Sequence, residues 1–219
     1  TRQCGRIEQL RETLLAEVRA LGLKARILSS GEGVGFLQLA ERAVELLAPL
    51  ASRPDASEAV RNLDVEQRVS LGFAYGSSSQ NETAVASLKD TMARAERDGG
   101  KDPGKNLFMA ERYAEAGSWL TSALNSLGRS AEAVQIGRDA RQVAEAVLEI
   151  RPGDFPALYS LGLLEGSLGA AAVEDLRPAD ALPFYARATG VYTTVSRLDP
   201  GNRTYANNRA SQYGELSRA

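Results

Sequence analysis

A short proline turn returns four times along this chain, and it limits the fold more than any other feature. It reads Ser52-Arg53-Pro54-Asp55, Lys101-Asp102-Pro103-Gly104, Ile150-Arg151-Pro152-Gly153 and Leu198-Asp199-Pro200-Gly201. The prolines recur at a period of about 49 residues, at the upper end of the range that marks repeat architectures. A second landmark keeps step. Leu21-Gly22, Leu71-Gly72 and Leu168-Gly169 each precede the next turn proline by nearly the same stretch of chain. In the third copy the pair is Leu120-Thr121. Two landmarks in phase identify internal repeats, and each repeat buries its apolar face mainly against its neighbours.

Within each repeat the apolar spacing is helical. Ile7, Leu10, Leu14, Leu15, Val18 and Leu21 recur at threes and fours, then Ser29-Ser30-Gly31-Glu32-Gly33 interrupts, and Phe36, Leu39, Ala40, Ala43, Leu46, Leu47 and Leu50 resume. The second unit repeats this plan, with a break at Gly76–Asn81. In the last two units Ala133, Ile136, Gly137, Ala140, Val143, Ala144, Val147 and Ile150 fall opposite Ala181, Phe184, Tyr185, Ala188, Val191, Tyr192, Val195 and Leu198, at one constant offset throughout. Such a stripe sets one face of a helix against its neighbours. Proline ends the preceding helix because its ring clashes and its N–H is missing. Ser57, Asn106, Asp154 and Asn202 then serve as N-caps. The spacing predicts nine helices, in repeats at about 5–54, 55–103, 104–152 and 153–200, with a capping helix over 202–218. Together they form a single domain over 1–219, and the short connections make sequence neighbours antiparallel.

Composition excludes several function classes. Of 219 residues, 43% are apolar and 25% charged, which suits a soluble globular chain. A net charge of −2 gives no footprint for a nucleic-acid backbone, so no nucleic-acid partner is expected. No apolar run is long enough for a membrane span, so no membrane partner is expected either. There is no histidine, and Cys4 is the only cysteine. That removes the usual zinc and haem ligands and the Cys–His and Ser–His nucleophile pairs, so no catalytic residue, metal or cofactor is expected. A lone cysteine cannot form an intrachain disulfide and fits a reducing, cytoplasmic setting. The chain opens with Thr1 rather than Met, which reads as a fragment or processed chain with room for a targeting signal upstream.

The pattern resembles the tetratricopeptide repeat family. The family's Leu-Gly pair, Tyr three residues on, small residue twelve after the Gly and closing Pro are matched by Leu71-Gly72, Tyr75, Ala84 and Pro103. Leu168-Gly169, Ala181 and Pro200 match with Ala172 in the Tyr place, and the third copy keeps Leu120, Leu124, Ala133, Ala140 and Pro152. The unit here is about 49 residues rather than 34, similar to the long-helix arrays at the C-termini of bacterial signalling proteins. The resemblance implies an all-α, right-handed αα-superhelix, a TPR-like solenoid of about four helix-turn-helix repeats plus the capping helix. Its first helices line a groove. Carried over residue by residue, the groove holds Glu66, Val69, Phe73 and Gly76, then Glu115, Ser118, Ser122 and Asn125, then Leu163, Gly166, Ala170 and Val173. The longer helices add Asn62, Glu111 and Tyr159. The fourth copy's small apolar set suggests packing against the terminal helix. The family's Lys/Arg/Asn carboxylate clamp is missing from this set, so chaperone-type capture of peptide C-termini is not expected.

Other motifs have simpler readings. Gly99–Asn106 nearly fits a phosphate loop, but Asn106 replaces the Mg²⁺-binding hydroxyl, Pro103 removes a backbone donor, and the stretch follows a helix. Gly31-Glu32-Gly33-Val34-Gly35 reads as an inter-helix loop, and the sequons at Asn81 and Asn202 as helix caps. Glu111 and Glu115 are like charges four apart, a spacing that repels unless something answers it. Trp119, the one tryptophan, suits helix packing. The function expected is a non-enzymatic protein- or peptide-binding scaffold or regulatory module of a larger bacterial signalling protein. The alternative is a small-molecule-sensing domain with its ligand between Tyr159, Asn125 and Phe73. Self-association through the terminal helices would give a homodimer.

Overall fold

A computed structural model describes the backbone of residues 2–29, 35–175, 177–201 and 203–217, and the side chains of 8–25, 35–175, 177, 179–201 and 203–217. The described residues form nine α-helices and no strand: α1 Arg2–Ser29, α2 Phe36–Ala51, α3 Glu58–Ser77, α4 Asn81–Arg97, α5 Leu107–Ser126, α6 Ser130–Ile150, α7 Phe155–Glu174, α8 Pro178–Leu198 and α9 Arg203–Leu216. All four turn prolines occupy the same place, between a second helix and the first helix of the next unit. Two caps form as expected. Asn106 Oδ1 accepts from Met109 N–H at 3.2 Å, and Asp154 Oδ1 accepts from Ala157 N–H at 3.1 Å. Ser57 occupies its cap position without capping; its hydroxyl instead accepts from Arg11 Nη2 at 3.0 Å. Asn81 is the first residue of α4 rather than its cap. Asn202 and the glycine-rich stretch over 30–34 lie outside the described residues.

The backbone gathers into two compact units, Thr1–Ser87 and Leu88–Ala219. In the first, Val18, Ala43, Leu47, Val60 and Leu63 from three successive helices make one core cluster, and Ala40, Val44, Leu71 and Ala74 make another. The Leu-Gly landmark serves differently here than in the last repeat. A Cβ on Gly22 would lie within 3 Å of the Gln67 side chain on α3, so this glycine admits the first helix of the next repeat.

In the second unit the close contacts fix helix direction. Gly117 meets Ala140 and Gly137 meets Thr121, so α5 and α6 run antiparallel. Gly162 meets Tyr192 and Gly169 meets Tyr185, so α7 and α8 do too. The two repeats share a register with opposite volumes. Where α6 carries Gly137 and Ala144, α8 carries Tyr185 and Tyr192, and α7 makes room with Gly169 and Gly162 where α5 has Thr121 and Ala114. Ala133, Ala140, Ala181 and Ala188 are fully buried at equivalent positions. Two residues counted in the apolar stripe are not core. Ile150 is 51% exposed and Leu198 54% exposed, because each ends its helix beyond the packed interface. Leu10 of α1 is likewise 64% exposed.

Candidate functional site

In the second unit the first helices α5 and α7 lie side by side, and side chains of the terminal helix α9 reach across α7. Asn125 Nδ2 donates to the Ser167 carbonyl at 2.8 Å, and the Trp119 and Tyr159 rings stand 6.5 Å apart. Tyr205 of α9 meets Phe155 at 5.3 Å and Tyr159 at 5.4 Å, both edge-on. Gln212 of α9 lies over Gly166, so the small residue of α7 does pack against the terminal helix.

The expected site residues on α5 lie on this face. Glu111 is buried, 3.5 Å from Arg151 Nη2 and 3.8 Å from Arg112 Nη2. Arg112 also pairs with Glu115. One guanidinium therefore answers both carboxylates, which is why like charges tolerate this spacing. Ser118 is buried and donates to the Glu115 carbonyl at 2.8 Å. Ser122 is exposed, and its carbonyl accepts from the Ser126 hydroxyl. Asn125 is half-buried, and its amide holds α5 to α7.

Tyr159 sits inside an aromatic cluster. Beyond Trp119 and Tyr205 it meets Tyr192 at 6.3 Å, and Asn208 of α9 hydrogen-bonds the hydroxyls of both tyrosines. Burial pushes both phenols above their ordinary range. In the first unit, Asn62, Glu66 and Phe73 lie along α3. Asn62 and Glu66 are half-buried, and Phe73 packs at 6.2 Å against Phe36 of α2. Phe73 therefore belongs to the first unit, and Tyr159 and Asn125 belong to the second. Arg112, Arg151, Asp154, Tyr205 and Asn208 were not among the expected site residues. They lie one residue from Glu111, in the turn and cap after α6, and on α9, so only the folded packing brings them to the site.

Glu111 carries a testable consequence. Its carboxyl is raised above the usual range, mainly by burial and then by Asp154, against the pull of Arg112 and Arg151. A carboxyl raised on folding keeps its proton where the unfolded chain has released it, so it costs stability as pH rises past the ordinary Glu range. Glu111→Gln is therefore expected to raise the melting temperature at pH 7 and to leave it unchanged near pH 3. A lower value at pH 7 would mean that the arginine pairs outweigh burial.

The near-phosphate-loop residues belong to the α4–α5 turn. A Cβ on Gly100 would come within 3 Å of the Ala95 and Met109 carbonyls, and Lys101 pairs with Glu96 at 3.0 Å above the Tyr113 ring. Among the described residues, no three Cys, Asp or Glu side chains gather in a way that could hold a metal ion, and no helix is long and apolar enough to cross a membrane.

The sequence matches no family model and no curated protein. The structure is similar to a crystal structure of nearly identical TPR-like repeats from a protein described as a Podosopora anserina kinesin light chain. The TM-score is 0.57 at 14% identity, over 94% of this chain and 99% of that one. The fold is TPR-like. It is an all-helical repeat scaffold, and at this identity the likeness speaks for architecture alone.

Proposed function

We propose that this chain is a non-enzymatic scaffold that binds a protein or peptide, as a cytoplasmic regulatory module of a larger bacterial signalling protein. The observation that supports it is the open strip where α5 adjoins α7. Glu115, Ser122 and Asn125 supply polar groups on one helix, and Leu163, Ala170 and Val173 supply small or apolar groups on the other, all at least partly exposed. From Glu115 to Asn125 the strip runs about 15 Å at 1.5 Å per residue. That length takes about five residues of extended peptide. Mixed polar and apolar lining is what a peptide with alternating side chains requires. Glu111, Ser118 and Tyr159 would shape the strip from beneath, and Asn62, Glu66 and Phe73 would line a face of α3 within the first unit.

Ser122→Arg tests this directly. Ser122 is exposed and its side chain holds nothing else, so the change is expected to leave stability within about 0.5 kcal/mol. Peptides selected from a random library on the full chain should lose tenfold or more in affinity for the variant, by roughly 1.4 kcal/mol. Selected peptides that bind both proteins equally would remove the α5–α7 strip as the binding face.

A further inference from the structure

The opposite side of α7 carries a cavity of about 300 Å³ between α6 and α8. Its floor is apolar: Val134 from α6, Leu168 and Ala172 from α7, and Phe184 from α8. Leu168 and Ala172 point away from Leu163, Gly166 and Ala170 by helical spacing, so this site is separate from the peptide strip. Two arginines, Arg138 and Arg177, stand at its rim, and their situations differ. Arg177 is neutralised by Asp175 at 3.1 Å and Asp180 at 3.3 Å. Arg138 has no hydrogen bond, ion pair or ring contact among the described residues. Asp180 is the one carboxylate among the described lining residues, and it is committed to Arg177.

We propose that this cavity binds a small monocarboxylate with an apolar body, its carboxylate on the Arg138 guanidinium and its hydrocarbon against Leu168, Ala172 and Phe184. Three features carry the assignment. The volume is at the low end for ligand pockets, which favours a small molecule over a drug-sized one. The floor rewards burial of hydrocarbon. One unpaired planar guanidinium at the rim matches one carboxylate, which it can hold through two parallel hydrogen bonds. A dianion would find no second free cation there, since Arg177 is already paired, and a cation would meet Arg138.

Phenylbutyrate is the probe, with uncharged phenylbutyramide as its control. Titration of the full chain by NMR should give saturable shifts at the Val134, Leu168 and Ala172 methyls and at the Arg138 Nε–H. The amide should bind about tenfold more weakly, since a charge-assisted pair is lost. Arg138→Gln should weaken the acid to the level of the amide and leave the amide unchanged. Arg138 is exposed, so the variant is expected to fold normally. Ala179→Phe, also exposed at the rim, should abolish both. Absence of saturable shifts at these methyls overturns the proposal. So does equal binding of acid and amide, or an Arg138→Gln variant that binds the acid as the parent does.

Discussion

Gly169→Ala is expected to destabilise the second unit by about 1–3 kcal/mol, although alanine is the better helix former by about 1 kcal/mol. The opposing effect is steric. A Cβ at this position would stand 2.6 Å from Tyr185 Cε1 and 2.8 Å from Cδ1. The ring is only 3% exposed, packed with Ala172, Ala181 and Leu216, so it cannot swing into solvent. The partner change makes the test sharp. With Tyr185→Ala the hole opens, and Gly169→Ala should become neutral or stabilising through propensity alone. The two changes should therefore couple by about 2–3 kcal/mol in a double-mutant cycle read by urea denaturation. If Gly169→Ala stabilises the parent chain, the ring relaxes freely and the volume exchange between repeats carries no energy.

That exchange also shows what could be read in advance. Helix positions followed from the proline turns and the three-to-four spacing of Val18, Leu47, Ala133 and Val147, because that period and the missing proline donor act within a few residues. The alignment of α6 with α8, offset by one repeat, revealed the equivalence of Gly137 with Tyr185. It could not reveal that Gly169 compensates, since that depends on which atoms face one another across α7 and α8. The same limit applies to the candidate site. Glu111 and Glu115 were visible as an i,i+4 pair. Their shared partner Arg112, one residue away, was hidden because its reach depends on side-chain direction and not on spacing. The first-helix register assigns Tyr159 to an open groove. The ring is covered because the capping helix α9 brings Tyr205 and Asn208 across it. Nothing in the spacing singles out Arg138, and only the geometry sets it beside a cavity without an acid of its own.

Removal of residues 203–219 is expected to produce the larger loss, about 3–5 kcal/mol, comparable to truncating a large buried aromatic side chain. α9 has no buried residue, so its value lies in what it covers. Tyr205 closes the edges of Phe155 and Tyr159, Asn208 satisfies the hydroxyls of Tyr159 and Tyr192, and Leu216 completes the Ala172, Ala181 and Tyr185 cluster. Without it, one apolar face of α7 and α8 meets water, and uncovered repeat faces associate. The melting temperature should fall by about 10 °C, and light scattering should show concentration-dependent oligomers. Tyrosine ionisation separates covering from a nonspecific effect of shortening. Burial holds Tyr159 and Tyr192 above the ordinary phenol range, so the full chain keeps these protons above pH 10 while the unfolded chain releases them, and its stability falls as pH rises from there. In the truncated chain both phenols should ionise closer to pH 10. Tyr205→Ala should move Tyr159 in the same direction by a smaller step, without oligomers, because Leu216 and Asn208 remain. An equally stable monomer with an unshifted tyrosine titration would show that α9 protects nothing, and that α7 and α8 hold their aromatic cluster unaided.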